Sequence, residues 1–194
     1  MERLRLAGSL VFAGVAQFTI LLIVAEAIYP GYSVSHNYIS DLGNYQLAPS
    51  TPHAYIFNAS IILMGLLLIA GGALLWGRGF VDRVLSAFVV LSGVGAAGVG
   101  VFPETSPYHL HVIFSLIVFL FASLASYPAA LYRHGGSVAW PILGTIGLAA
   151  LGLFIAHVYL GLGWGGMERM ITYPNLVWAT GFSASLMTKR SEGP

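Results

Sequence analysis

The sequence predicts an all-α integral membrane protein, a bundle of six transmembrane helices. Only 8% of its 194 residues are charged and 57% are hydrophobic, whereas soluble domains carry about 25% charged residues. The apolar residues form six long runs, each close to the roughly 20 residues that a helix needs to cross a bilayer. The short alternating segments of a membrane β-barrel are absent from the sequence.

The six apolar runs account for nearly the whole chain. They predict helices over residues 6–28, 54–76, 84–102, 108–132, 138–160 and 171–187. Little chain is left for a soluble domain, so residues 1–194 are predicted to form one domain. The first run follows Arg3 and Arg5, as a signal peptide would, but it is too long for a signal peptide and Glu26 and Pro30 replace a cleavage site. We therefore interpret it as a helix of the mature protein.

The basic residues predict the orientation of the helices. Lys and Arg favour cytoplasmic loops, and seven of the eight lie on one side of the predicted topology. A multi-pass protein of the cell membrane with both termini in the cytoplasm is therefore predicted. The loops at 29–53, 103–107 and 161–170 then face outward, and Arg169 is the exception to the rule. The seven residues are Arg3, Arg5, Arg78, Arg83, Arg133, Lys189 and Arg190.

This topology places most of the chemically active side chains at the outer end of the helices. Five of the six histidines map there, and His134 does not. Ionisable groups at membrane depth usually face the interior or a watery cavity, where they mark function. An outward-facing polar site is therefore predicted. Its candidate catalytic residues are His36, Asp41, Glu104, His109, His111 and His157, and its candidate ligand-binding residues are Glu26, Ser40, Asn58, Glu168, Arg169 and Tyr173.

The polar stretch "SHNYISDLGNY" at 35–45 has a purely structural alternative. A short interfacial helix with Ser33 or Ser35 as N-cap and Gly43 after its end would explain it. Asp41 would then only hydrogen-bond a turn. Ser35 and Ser40 are candidate nucleophiles, but neither lies in a G-x-S-x-G motif.

The histidines raise the possibility of a divalent metal such as zinc. Its candidate ligands, drawn from different helices, are His36, His53, His111 and His157. His109 and His111 lie about 200° apart on a regular helix, so they would not both bind one ion. The alternative is that each histidine makes a local hydrogen bond, which is the stronger interpretation of His53 after "STP".

Two ionisable residues are predicted to lie about one turn inside the outer boundary of their helices. Glu26 and His157 are flanked by apolar residues, and their side chains are too short to reach the headgroups as Lys or Arg would. Arg169 would serve as a partner. We expect it to form an ion pair with Glu26, Glu104 or Asp41, or to contact an anionic substrate group.

Several short motifs resemble a known family. They are "ISDLG" after helix one, "FN" early in helix two, "GVFPE" after a glycine-rich helix three, a histidine at the start of helix four, and "GGMERM" followed by "LVW" in helix six. Together they resemble the prokaryotic membrane family called domain of unknown function 998. The "ISDLG" loop and the "FN" helix are also similar, more distantly, to DRAM-like eukaryotic membrane proteins. The resemblance implies six helices and no established reaction. Its characteristic positions are Ser40, Asp41, Gly43, Asn58, Pro103, Glu104, His109 or His111, Glu168 and Arg169.

Two classes of function fit these observations. One is a membrane hydrolase or transferase that acts on a lipid or other amphiphile, with a His base or a metal-bound water. The other is a non-catalytic binder or sensor of a lipid or small molecule. A transporter is disfavoured, because no internal repeat is evident and the inner halves of the helices carry little polarity beyond Gln17. Membrane lipids are the expected partners, nucleic acid is not, and the oligomeric state stays open.

Overall fold

The computed structural model describes residues 2–188, which form six α-helices. Two short 3-10 helices, Ser40–Gly43 and Pro107–His109, lie in the connections. No β-strand occurs between residues 2 and 188. Lys189 and Arg190 lie outside these residues. The helices are α1 (Glu2–Ile28), α2 (His53–Leu75), α3 (Phe80–Val101), α4 (Leu110–Leu131), α5 (Ala139–Ile155) and α6 (Gly163–Thr188).

Within residues 2–188, four segments are long and apolar enough to cross a membrane. They are α1, α2, α3 and residues 107–131, which include α4. α5 is apolar but has only 17 residues. α6 has 26 residues and carries Glu168 and Arg169 within its first two turns. The all-α class and the membrane-type helices are thus confirmed, while six crossings and cytoplasmic termini stay predictions.

The helices pack side by side in a closed ring. Each packs against the next one in the chain, and α1 also packs against α6. Arg3 at the start of α1 hydrogen-bonds the carbonyl of Trp76 after α2, and Glu26 near the end of α1 contacts Arg169 near the start of α6. The connections 29–52, 102–109 and 156–162 therefore share one end of the ring, which we call the polar end. The opposite end, with the connections 76–79 and 132–138, is called the terminal end.

Small residues of α3 hold it close to its neighbours, as its sequence indicates. A Cβ atom added to Gly93 would lie 2.6 Å from the carbonyl oxygen of Gly65 in α2. A Cβ atom added to Gly95 would lie 2.5 Å from the backbone nitrogen of Val118 in α4. Backbone approach of this kind is typical of helices packed within a membrane.

The boundaries of the last two helices differ from the prediction. α5 ends at Ile155 rather than 160, because His157, Leu160 and Gly161 adopt positive φ angles that a helix excludes. α6 begins at Gly163 rather than 171. The predicted outer loop 161–170 is therefore mostly helix, since its polar residues are bonded inside the protein instead of facing water.

Candidate functional site

Arg169 fastens the long connection 29–52 to α6. Its side chain is only 4% exposed, and Nη2 forms an ion pair with Glu26 Oε1 at 2.6 Å. The same nitrogen donates to the hydroxyl of Tyr32 at 2.6 Å. Nη1 donates to the carbonyl oxygens of Val34 at 3.0 Å and Asn37 at 3.1 Å. Of the three acids expected as partners, the structure pairs Arg169 with Glu26, and its charge is used within the protein.

The preceding residue, Glu168, makes a second attachment. It is 5% exposed, and its Oε2 accepts a hydrogen bond from the backbone N–H of Ile39. The connection also lies directly on Gly165, whose N–H donates to the carbonyl of Ser35 at 3.1 Å. A Cβ atom at Gly165 would lie 2.0 Å from the carbonyl oxygen of Asn37. The glycine is therefore needed for this close approach.

Carboxyl groups gather where the connection covers the ring. Ser40 Oγ donates to Glu104 Oε1 at 2.6 Å. Asp41 Oδ2 accepts from Asn37 Nδ2 at 2.9 Å and from the N–H of Tyr38 at 3.0 Å. Asp41 also lies close enough to Glu104 for the two carboxyl groups to interact electrostatically. Both also interact electrostatically with the carboxyl group of Glu168. We call Asp41, Glu104 and Glu168 the acidic cluster.

The surroundings of Glu104 make its carboxyl group a weaker acid than usual. Burial raises the pKa of this carboxyl group, and the negative charge of Asp41 raises it further. The hydrogen bond from Ser40 and the nearby His111 act in the opposite direction. Because desolvation penalises the charged form, burial is the dominant cause.

His111 is the candidate histidine that lies beside Glu104. It is 8% exposed, and its Nδ1 lies 2.8 Å from the carbonyl oxygen of Phe102. A carbonyl only accepts, so Nδ1 carries the proton and Nε2 stays unprotonated in the neutral ring. His109 is exposed, because Tyr108 and His109 adopt left-handed backbone angles before α4 begins at Leu110. As expected from their spacing, the two histidines do not face one site.

Two further candidate histidines lie on the surface. His36 is exposed and its Nδ1 is 3.1 Å from Ser33 Oγ. His157, predicted within helix five, instead lies in the connection after α5, where it is exposed and contacts the hydroxyl of Tyr159 at 3.0 Å. The predicted placement of His157 within helix five is therefore wrong, because α5 ends at Ile155, while its depth in a membrane stays a prediction.

His53 is fully buried at the start of α2. Its Nδ1 lies 2.7 Å from Thr51 Oγ1, and its ring stacks on Tyr29 with centroids 4.8 Å apart. This is the local hydrogen bond expected as an alternative to metal binding. Between residues 2 and 188, no three His, Asp or Glu side chains are arranged to hold a metal ion, so the zinc hypothesis has no preformed ligand set in this part of the chain.

The two other candidate residues are Asn58 in α2 and Tyr173 in α6. Asn58, which is 3% exposed, donates from Nδ2 to the carbonyl of Gly43 at 2.9 Å. This bond holds the last residue of the 3-10 helix Ser40–Gly43. Tyr173 is 41% exposed on α6 and lies near Glu26 and Arg169. Asn58 thus contacts the connection itself, whereas Tyr173 lies beside Arg169, which holds the connection.

A narrow apolar cavity of about 100 Å³ lies inside the ring, below the acidic cluster. Residues of α1, α2, α3, α4 and α6 line it. Ile39, Ser40 and Glu168 line its polar end, and it reaches Leu75 and Phe182 near the terminal end. From Glu168 to Phe182 the lining helix α6 rises about 21 Å at 1.5 Å per residue. The sequence does not reveal this cavity, because apolar residues that line a cavity have the same pattern as residues of a packed core.

Comparisons with known proteins give one match. A family model described as "Protein of unknown function (DUF998)" matches residues 12–185. No curated protein and no solved structure matches the chain. The more distant likeness to DRAM-like proteins has no support from these comparisons and stays a prediction. Because the family model spans most of an all-α chain with membrane-type helices, this protein belongs to the DUF998 family.

Proposed function

We propose that this membrane protein binds a single-chain amphiphile, with the apolar chain inside the ring and the polar head at the acidic cluster. The observation that carries this proposal is the apolar cavity that ends at Ser40 and Glu168. An apolar pocket with a few polar groups at one end is the usual form of a site for such a molecule. The cavity combines both parts in one continuous space.

The length of the cavity fits a lipid chain. One leaflet of a bilayer is about 15 Å of hydrocarbon, half of its total core. The residues that line the cavity span about 21 Å along α6, which matches the length of a chain of ordinary length. Moving the chain from lipid into an apolar cavity gains little from the hydrophobic effect, because lipid is already apolar. Affinity must therefore come from close packing and from contacts to the head.

The charges at the polar end select the type of head. Asp41, Glu104 and Glu168 are acids, whereas the buried guanidinium of Arg169 is already paired with Glu26. A phosphate head would meet carboxyl groups and no uncommitted arginine at this position. We therefore expect a head that donates hydrogen bonds or carries positive charge.

Filling the cavity tests the proposal. In Ala125→Phe a ring would occupy the space between the helices, since Ala125 lines the cavity and is only 1% exposed. The matched control is Ala149→Phe on the exposed side of α5. Native mass spectrometry should detect one bound single-chain amphiphile in the wild type and the control, and little in Ala125→Phe. Equal retention by the two variants, or a wild type that binds no such amphiphile from a mixture of single-chain lipids, would contradict the proposal.

A further inference from the structure

We infer that Ser40 is a nucleophile that takes the acyl group of an ester amphiphile, with Glu104 as its general base. This inference rests on the proposed function, because the cavity must hold the acyl chain. It adds an activity to the binding site: transfer of the acyl group to water.

The geometry of Ser40 meets the first requirement of a nucleophile. Its Oγ donates to Glu104 Oε1 at 2.6 Å, within the range at which a base withdraws the proton. Ser40 also lines the polar end of the cavity. An acyl chain that enters the cavity from this end therefore places its ester carbonyl next to the hydroxyl.

A neighbouring carboxyl group strengthens the base, because the negative charge of Asp41 raises the pKa of Glu104. Asp41 lies beside Glu104 and is itself held by Asn37 Nδ2 at 2.9 Å and the N–H of Tyr38 at 3.0 Å. Burial raises the pKa of Glu104, and a carboxylate with a raised pKa is a stronger base near neutral pH.

The short helix that carries Ser40 is fixed on both sides. Glu168 accepts the N–H of Ile39, one residue before Ser40. Asn58 donates to the carbonyl of Gly43, three residues after it. Both anchors are at least nine-tenths buried. A nucleophile held in this way keeps its geometry without the substrate, which lowers the cost of reaching the transition state.

Other serines lack this combination. Ser33 bonds His36 on the surface and does not line the cavity. Ser92 lines the cavity, but its hydroxyl donates to the carbonyl of Phe88 at 2.7 Å, within its own helix. Among the serines of residues 2–188, Ser40 has both a carboxylate acceptor and a place at the cavity.

The reaction has two steps. In the first, Ser40 Oγ bonds the acyl carbon and its proton passes to Glu104; the bond to the alcohol breaks, and the alcohol leaves with that proton. In the second, water attacks the acyl-serine and gives its proton to Glu104. The acid is released and Ser40 Oγ takes the proton back. The sum is ester plus water to carboxylic acid plus alcohol, with no redox change.

A neutral fluorophosphonate with a hexadecyl chain tests the inference, because it labels activated serines. Peptide mapping of the wild type should find one adduct, on Ser40. The labelling rate should fall about 100-fold or more in Glu104→Gln, which removes the base, and label should be lost in Ser40→Ala. Ser33→Ala is the matched control and should label like the wild type. Binding of hexadecanol, which has no ester, is measured on each protein by native mass spectrometry.

The outcomes separate the two proposals. A wild type that binds hexadecanol but gives no adduct, or an adduct elsewhere than Ser40, overturns the nucleophile and leaves amphiphile binding in place. A wild type that neither binds nor labels overturns both. The wild-type mapping decides the assignment even if a substitution at Ser40 or Glu104 impairs folding.

Discussion

Arg169 explains why a basic residue lies at the polar end, against the charge pattern of the rest of the chain. Its guanidinium bonds a carboxylate, a phenol and several backbone carbonyls while being 4% exposed. A buried charge with this set of partners is stable, but it becomes costly if its main counter-charge is removed. The residue joins α1, the connection 29–52 and α6 at one point.

Removing Arg169 should destabilise the protein strongly. Arg169→Ala leaves Glu26 without its counter-charge, at a cost of about 3–5 kcal/mol for a buried pair. The double variant with Glu26→Gln should recover part of this loss, since the uncompensated acid is then neutral. Thermal unfolding in detergent measures both effects, with the exposed Arg78→Ala as control. A double variant no more stable than Arg169→Ala would show that the ion pair is not the main contribution.

Glu104 should make stability depend on pH in a defined direction. Its folded-state pKa is raised by burial, so the folded protein holds this proton more tightly than the unfolded chain does. The stability that this provides is complete below the unfolded pKa of about 4 and is lost as pH rises through the raised folded value. Melting temperature should therefore fall over this range in the wild type and fall less in Glu104→Gln. The surface variant Glu2→Gln should show the same pH dependence of melting temperature as the wild type. An equal slope of melting temperature against pH in all three proteins would contradict the prediction.

At the scale of elements, the start of α6 and the connection 29–52 form one unit. The carbonyls of Val34, Ser35 and Asn37 all contact the first two turns of α6. The connection in turn carries Ser40 and Asp41 over the cavity. The shape of the site thus depends on a backbone contact at Gly165.

Gly165→Ala should disturb this contact. The new methyl group would lie 2.0 Å from the carbonyl oxygen of Asn37, so the connection must shift, and we expect a loss of about 1–3 kcal/mol as for overpacking elsewhere. Gly152→Ala in α5 is the control, because no atom lies within 4 Å of its added Cβ and alanine favours a helix by up to about 1 kcal/mol. Thermal unfolding should separate the two variants. Equal stability would mean that the contact is not tight.

Hydropathy predicted the helices well where the helical segment is apolar throughout. It predicted them poorly where a helix carries charged residues. The first four predicted helices match the observed ones to within four residues. α6 begins eight residues before its prediction, because Glu168 and Arg169 were assigned to a loop by their polarity. Their partners, Ile39 and Glu26, lie more than a hundred residues away. A local sequence pattern does not show that these charged side chains find hydrogen-bond and ion-pair partners inside the ring of helices.

Candidate residues were predictable by type, but not by arrangement. Polarity placed Asp41, Glu104 and Glu168 at one end, where the structure brings them together. It did not distinguish the buried His111 from the exposed His109, since this depends on two left-handed residues before α4.

At the scale of the whole molecule, the two ends of the ring should lie on opposite sides of a membrane. The chain has no cysteine, so single cysteines introduced at exposed positions report the side directly. Those at Ser50 and Val158 on the polar end should react with an impermeant reagent outside intact cells. Those at Arg78 and Val138 on the terminal end should react only after lysis. Labelling of both pairs from one side would contradict the predicted orientation.

The cavity is the central claim at this scale, and a photoreactive amphiphile tests it most directly. The probe is a hexadecyl amine with a diazirine at the far end of its chain, crosslinked to the purified protein and mapped by mass spectrometry. If the chain lies inside the ring with its head at Glu168, the diazirine should label residues deep in the cavity, near Leu75 and Phe182. Excess hexadecanol should compete. Labelling confined to exposed apolar residues on the outside of the ring, such as Ile20, Ile23 and Leu66, without competition, would contradict the account.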